Sequence, residues 1–168
     1  VITGGMGFVG NEIAREISKG FEKISILAVG RTKNPPARKF LDGMKYIACD
    51  LSTKNNYYSW LEGADTVFHV AAKAGVGTNL KEYYDANYLA TQYLLDACRS
   101  MGVKRFIYTS SPSVAFNEKS IQSGDESLPY TTNSNNPYAY TKALAENIVL
   151  QAHQPQRFQT IALRPHLI

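Results

Sequence analysis

The chain has 168 residues, of which 44% are hydrophobic and 19% are charged, and this is enough for one globular domain with its own core. Its net charge of +4 is spread along the sequence, and the densest basic group (Lys33, Arg38 and Lys39) is too sparse for a nucleic-acid-binding arm. No apolar run approaches the roughly 18 residues that a membrane-spanning helix needs. These features predict a domain with no nucleic-acid partner and no membrane segment.

The cysteines and histidines lack the spacing of a metal or redox motif. Cys49 and Cys98 are interpreted as buried thiols of an intracellular protein, so we expect a cytoplasmic location. His69, His153 and His166 are scattered, and no metal site is predicted. Membrane association of the full-length protein stays open.

The two ends predict that this is a piece of a longer protein. Only Val1 and Ile2 precede a glycine-rich turn, and the chain stops soon after a strand predicted at 158–163. The short first strand is expected to leave the middle of the sheet underpaired. We therefore expect low stability of the chain in isolation, and no turnover without a substrate-binding region downstream.

Between the ends, strand and helix patterns alternate. Alternation of this kind predicts an α/β fold of the Rossmann type, a doubly wound parallel sheet with helices on both faces, covering 1–168 as one NAD(P)-binding domain. Strands are predicted at 24–29, 46–49, 67–72, 105–109 and 158–163. Helices are predicted at 8–18, 53–61 and 80–101 and from Pro137 onward. Ser52 or Thr53 is the expected N-cap of the second, and Asn136 that of the last. The third is expected to turn five side chains inward: Tyr84, Tyr88, Leu94, Leu95 and Cys98. A polar stretch at 113–136 is predicted to be a long active-site loop.

A ladder of glycines follows the first strand. Gly4 permits a tight turn, Gly7 lets the backbone approach a pyrophosphate, and Gly10 allows close packing of the helix on the sheet. The helix that begins with Phe8 and Val9 then offers unpaired N–H groups to an anion. The ladder therefore predicts a dinucleotide site, although a glycine-rich turn without a ligand has the same composition.

The end of the second strand is expected to decide between NAD and NADP. An acidic residue there would bind the ribose 2′-hydroxyl of NAD, but no Asp or Glu lies between Glu22 and Asp42. Arg31 stands at that place and suits the 2′-phosphate of NADP, so NADP is predicted and NAD remains possible. Asp50 and Leu51, after the third strand, are expected to contact the adenine edge and ring.

Three residues are candidates for the chemistry. Tyr138 and Lys142 are four positions apart, so a helix places them on one face. A free tyrosine has a pKa of about 10, and a nearby ammonium favours its phenolate, which makes it a usable acid and base. Ser111 is positioned to hydrogen-bond a substrate oxygen where charge develops.

Four segments together resemble the extended short-chain dehydrogenase/reductases. They are Thr3 to Gly10, Val67 to Ala72, Tyr108 to Ser111, and the Tyr138–Lys142 pair. Three stretches are similar to the 3β-hydroxysteroid dehydrogenase branch, which includes the sterol-4α-carboxylate 3-dehydrogenases: Ile107 to Val114, Gly124 to Tyr130 and Pro137 to Glu146.

The resemblance implies interconversion of a 3β-hydroxyl and a ketone in a small hydroxy or keto substrate. Tyr138 would be the acid/base, Lys142 its partner and Ser111 the substrate hydrogen-bonder. It further implies that Ala71, Ala72 and Lys73 line the cofactor cleft, that Asn87 supports the sheet behind it, and that the full-length protein pairs as a homodimer through its two long helices.

Two other functions stay open. A nucleotide-sugar epimerase or dehydratase, or an NADPH-dependent reductase of β-keto acids or dihydroflavonol-type ketones, would use Ser111, Tyr138 and Lys142 unchanged. A non-catalytic NADP-binding regulatory module would not need Tyr138 beside Lys142. A turnover assay on the full-length protein separates the second possibility from the first.

Overall fold

The computed structural model describes residues 1–21, 23–37, 40–53, 57–117 and 123–166. Within them, six strands form one parallel sheet in the order β3-β2-β1-β4-β5-β6. The strands are β1 (Ile2–Thr3), β2 (Leu27–Gly30), β3 (Lys45–Ala48), β4 (Thr66–His69), β5 (Arg105–Thr109) and β6 (Gln159–Leu163). This is the doubly wound order that the sequence predicts, with the first strand at the centre.

The helices lie between the strands along the chain. They are α1 (Phe8–Gly20), α2 (Tyr58–Leu61), α3 (Leu80–Tyr83), α4 (Ala90–Ser100) and α5 (Pro137–Gln151), with a π-helical segment at Tyr84–Leu89 and a 3₁₀ turn at Pro112–Ala115. None of these helices is long and apolar enough to cross a membrane.

Helices cover both faces of the sheet. On one face, buried side chains of β4 and β5, such as Val67 and Phe106, pack against Leu94 and Val149 from α4 and α5. On the other face, Ala14 of α1 belongs to a smaller core. This layering leaves the carboxyl ends of all six strands at one edge, where α/β proteins bind ligands.

The first strand pairs with both neighbours despite its two residues. Ile2 is in register with Ala28 of β2 and with Phe68 of β4. Val1 extends the pairing, because its carbonyl accepts from the Phe68 amide at 2.8 Å and its amino group donates to the Thr66 carbonyl at 2.8 Å. At this amino-terminal edge an open cavity of about 530 Å³ lies between β2, β4 and α2.

The prediction of one continuous helix over 80–101 is wrong for the middle of that range. A π-helical segment interrupts it, and the extra residue per turn rotates the inward face. Tyr83 and Asn87 are buried, whereas Tyr84 and Tyr88, predicted to face inward, are half-buried and stack on each other with ring centroids 4.8 Å apart. Beyond the π segment, Leu94, Leu95 and Cys98 are buried as predicted.

The ends of other helices and strands differ from the predicted ends by a few residues. The short helix α2 begins at Tyr58, five residues later than predicted, so neither Ser52 nor Thr53 caps it, although 54–56 lie outside the described residues. The predicted strand 67–72 ends at His69, because the small residues after it leave the sheet to line a cleft. The polar stretch 113–136 begins with the 3₁₀ turn; residues 118–122 of the predicted loop lie outside the described part.

Candidate active site

The glycine turn connects β1 to α1 and leaves no room for a side chain at Gly4, Gly5 or Gly10. Gly4 has a φ of +68°, and its amide donates to the Val29 carbonyl at 2.7 Å. A Cβ on Gly10 would lie 2.4 Å from the Gly4 carbonyl oxygen, so the helix contacts the turn directly. Gly5, to which the sequence assigns no role, is equally constrained, since a Cβ there would lie 2.6 Å from the Ala28 Cβ.

The start of α1 offers backbone donors. Its N-cap, Gly7, provides no side-chain cap, and the first turn contains no acidic residue. The N–H groups of Phe8, Val9 and Gly10 belong to the first turn, where no intrahelical acceptor exists. A 13-residue helix directed this way, behind a glycine-rich turn, fits the pyrophosphate of a dinucleotide.

A cleft of about 180 Å³ lies beside this turn at the carboxyl edge of the sheet. It brings together seven residues that the sequence assigns to a cofactor: Gly4, Arg31, Asp50, Leu51, Ala71, Ala72 and Lys73. Gly30, Cys49, Ser52 and Ala86, which sequence reasoning did not single out, complete the lining.

Asp50 is held in a defined orientation at this cleft. Its carboxylate accepts from the Ser52 amide at 3.0 Å and from the Ser52 hydroxyl at 2.7 Å. These bonds, with a smaller contribution from the Arg31 guanidinium, lower the pKa of Asp50, although partial burial opposes them. The carboxylate is therefore ionised at neutral pH and acts as an acceptor.

Asn87, on the π segment, fixes the loop that forms one wall of the cleft. Its side-chain oxygen accepts from the Lys73 amide at 2.7 Å, and its NH₂ group donates to the Lys73 carbonyl at 3.1 Å. The same NH₂ group donates to the Thr141 hydroxyl of α5 at 3.2 Å. One buried amide thus joins the cleft wall to the helix that carries Tyr138 and Lys142.

The three candidate catalytic residues lie around the carboxyl end of β5. Tyr138 is half-buried in the first turn of α5, which Asn136 caps by accepting from the Ala139 amide at 3.2 Å, as predicted. One turn further on, Lys142 is 2% exposed, and its ammonium donates to the Thr109 carbonyl at 2.6 Å. Ser111 begins the 3₁₀ turn, where its hydroxyl lies 2.8 Å from that of Ser113.

Burial dominates the titration of Lys142. Desolvation lowers its pKa from 10.5 to about 7, while Glu146, one turn along the same helix, opposes this shift. The lysine therefore changes charge close to neutral pH, where an acid/base partner is most useful.

A buried ion pair connects α5 to β6. The Glu146 carboxylate accepts from the Arg164 guanidinium at 2.6 Å and 3.0 Å, from the Tyr130 hydroxyl at 3.0 Å and from the Ser110 hydroxyl. Burial raises the pKa of Glu146, but these donors outweigh it and hold the pKa below its usual value. Ser110 precedes Ser111, so the network fixes the strand end from which Ser111 projects.

A second buried chain passes through His69. Its Nδ1 lies 2.7 Å from the Thr3 hydroxyl and its Nε2 lies 2.9 Å from the Thr91 hydroxyl. Full burial, reinforced by the charge of Lys142, lowers the pKa of His69 from 6.5 to about 3. The ring is therefore neutral at physiological pH and joins β1, β4 and α4.

A larger cavity, of about 600 Å³, lies beside Ser113. Apolar surface from Ala115, Phe116 and Leu128 lines one part of it, and Arg164 and His166 line another. Phe116 is 46% exposed there.

A family profile matches this sequence over its whole length. The profile describes the 3-beta hydroxysteroid dehydrogenase/isomerase family, and it covers residues 1–168. The chain belongs to this family.

Named relatives agree with the assignment. The bovine (Bos taurus) sterol-4-alpha-carboxylate 3-dehydrogenase, decarboxylating, is 34% identical over 166 residues, covering 98% of this chain and 45% of that protein. The 2-alkyl-3-oxoalkanoate reductase of Shewanella oneidensis is 34% identical over 173 residues, covering 99% of this chain and 44% of that protein. The chain thus spans a little under half the length of these relatives.

Solved structures confirm the extended short-chain dehydrogenase/reductase fold. MoeE5 in complex with UDP-glucuronic acid and NAD has a TM-score of 0.80 and 32% identity, covering 97% of this chain and 52% of that one. The UDP-glucose 4-epimerase of Thermotoga maritima has a TM-score of 0.84 at 18% identity over 97% of this chain and 53% of that one, a likeness of fold alone.

Sequence reasoning missed the residues that support the site. Tyr108, His69, Glu146 and Arg164 are buried or paired at its centre, but the sequence analysis assigns a supporting role to none of them. For Glu146 a signal existed, since it continues the four-residue spacing of Tyr138 and Lys142 along α5.

Proposed function

We propose that the protein containing this chain binds a nicotinamide dinucleotide along the cleft and interconverts a secondary alcohol and a ketone, with Tyr138 as acid and base. One observation carries the proposal: the Lys142 ammonium is buried at the end of β5, one turn from Tyr138. The glycine turn and the seven cleft residues support the dinucleotide. The dinucleotide supplies hydride-transfer chemistry when it is bound.

The chain's own residues then handle the substrate oxygen. The phenol of Tyr138 exchanges a proton with that oxygen, and the ammonium of Lys142 lies one turn away on the same helix. Ser111 donates a hydrogen bond where charge develops on the oxygen. The cavity with Phe116 on its wall, next to Ser113, is the proposed place for the rest of the substrate.

The relatives favour a sterol-type or β-keto-acid-type substrate over a sugar nucleotide. These relatives are named for a sterol carboxylate and an alkyl oxoalkanoate, which combine an apolar part with a carboxylate, and the apolar part of the cavity suits the apolar part of such compounds. The second candidate, a nucleotide-sugar epimerase, is favoured by the solved structures with UDP-sugars. A homodimer through α4 and α5, and a cytoplasmic location, stay predictions.

The test replaces the two central residues in the full-length protein. Tyr138→Phe should lower kcat by about a hundredfold to ten-thousandfold while the dissociation constant of the dinucleotide hardly changes. Lys142→Met should lower kcat and also weaken dinucleotide binding, because its ammonium would serve both the phenol and the ribose. The measurements are steady-state kinetics on sterol and sugar-nucleotide panels and a direct binding titration.

An exposed lysine provides the matched control. Lys45→Met replaces the same residue type on the far strand β3 and should leave both constants unchanged. A Tyr138→Phe protein that keeps more than about a tenth of the original kcat would exclude Tyr138 as the acid/base.

A further inference from the structure

The Lys142 ammonium lies on the face of an aromatic ring. Its Nζ is 4.0 Å from the centroid of the Tyr108 ring, and it donates to the Thr109 carbonyl at 2.6 Å. An ammonium has three N–H donors. The carbonyl takes one, and the ring face attracts the positive charge, so the ammonium keeps N–H groups for further partners such as the phenol and the ribose.

The ring of Tyr108 is fixed in place. It is 1% exposed, and the His69 ring packs against it with centroids 5.7 Å apart. Among the residues that the structure describes, its hydroxyl has no hydrogen-bond partner. The interaction of Tyr108 with the lysine is therefore made by the ring and not by the hydroxyl.

Among the titratable groups near the Lys142 ammonium in the described residues, the Tyr108 ring is in direct contact with it. In the described part of the chain these are Tyr138 and Glu146 on α5, Tyr108 on β5 and His69 on β4. His69 is neutral, and the Glu146 carboxylate is engaged by Arg164. Only the Thr109 carbonyl and the Tyr108 ring contact the ammonium directly within these residues.

We propose that Tyr108 is a positioning residue: its ring face holds the Lys142 ammonium in its charged form and, with the Thr109 carbonyl, fixes the position of that ammonium one turn from Tyr138. A cation over a desolvated aromatic face is one of the stronger contacts available to a buried ammonium. The proposal rests on the proposed function only in naming Tyr138 as the group that benefits.

The test weakens the attraction of the Tyr108 ring for a cation in steps, while the size of the ring changes little. Tyr108 is replaced by Phe, then by mono-, di- and trifluorophenylalanine, each fluorine weakening the negative face of the ring. The pKa of Lys142 is followed by NMR of protein labelled at lysine nitrogen, with the signal assigned by its loss in Lys142→Met. The pH profile of kcat is recorded on the same proteins.

Tyr108→Phe should leave the Lys142 pKa close to that of the unmutated protein, because only the unpaired hydroxyl is lost. The fluorinated series should lower that pKa stepwise by roughly one unit in total, a tenfold change in the fraction charged at neutral pH. The same series at Phe106, a buried ring of the same strand that stacks on His69 and Phe158, should leave the lysine unchanged.

A Lys142 pKa that stays constant across the Tyr108 series in folded protein would overturn the proposal. A stepwise fall with a parallel shift in the kcat profile supports it. A stepwise fall without a kcat shift supports the ring–ammonium contact but contradicts the role given to Lys142 in turnover, so failures of the two proposals are distinguishable.

Discussion

Arg31 shows how one exposed residue can decide which dinucleotide a site prefers. It lies directly after β2 on the wall of the cleft, and its charge acts on Asp50 across that cleft. A guanidinium there can pair with a phosphate in a charge-assisted bond, whereas it gains less from a ribose hydroxyl. NADP therefore stays the prediction for this chain, although the solved MoeE5 structure holds NAD.

Arg31→Ala should remove any preference for NADPH over NADH. The lost contact is worth roughly 1.5–3 kcal/mol, which corresponds to a tenfold to hundredfold change in the ratio of the two dissociation constants. Fluorescence titration of both cofactors measures the ratio.

Arg15→Ala, on the exposed side of α1 and paired there with Glu12, is the matched control and should not change the ratio. Equal affinities for NADPH and NADH in the unmutated protein would contradict the prediction.

At the scale of elements, the π segment is the feature that joins the cleft to α5. Asn87 can do this because an amide both accepts from and donates to the Lys73 backbone. An aspartate of the same shape keeps the acceptor but loses both donor bonds, to Lys73 and to Thr141.

Asn87→Asp should lower the free energy of unfolding by about 1–3 kcal/mol and weaken dinucleotide binding, because the partly buried Lys73 carbonyl loses its donor and the cleft wall loosens. Urea denaturation and a binding titration measure the two effects. Asn136→Asp is the control, since an aspartate caps a helix as well as an asparagine does. Equal losses in the two variants would refute the role assigned to Asn87.

The sequence predicted those elements whose signals are local. β5 has the predicted bounds, and α5 begins at Pro137 with the predicted cap, because alternation and capping are local properties. The π segment depends on the contacts of Asn87 with Lys73 and Thr141, one of them 54 positions away, and no local pattern contains that information. The same is true of the ring beneath Lys142: Tyr108 and Lys142 meet only once α5 packs on the sheet.

At the scale of the whole molecule, His69 makes the free energy of unfolding depend on pH. It joins two strands and a helix at the centre of the fold, and its pKa in the folded protein, about 3, lies below the ordinary value of 6.5. The unfolded chain therefore binds a proton between these values that the folded protein does not. The stabilisation is complete above pH 6.5 and is lost as the pH falls from 6.5 toward 3.

His69→Gln should flatten the acid side of the stability curve, because glutamine can bond to both threonines but does not titrate. The slope between pH 6.5 and pH 3 should fall by up to about 1.4 kcal/mol per pH unit, the value for one proton. Thermal or urea denaturation across that range measures the slope.

The exposed His166 supplies a control, and His166→Gln should keep the original slope. The prediction is contradicted if the free energy of unfolding falls equally steeply below pH 6.5 in the unmutated protein and in His69→Gln. The neutral His69 would then not be what makes the fold less stable in acid.

The π segment also makes this protein unusually sensitive to chain length at one place. A π turn contains about one residue more than the α turn it replaces, so deleting a single residue within Tyr84–Leu89 would leave an ordinary, continuous α-helix. The helix would survive, but everything on one side of the deletion would rotate by about 100° relative to the other. Homologues that lack one residue here would therefore look alike in composition and fold, and yet their counterpart of Asn87 would no longer contact both the cleft wall and α5.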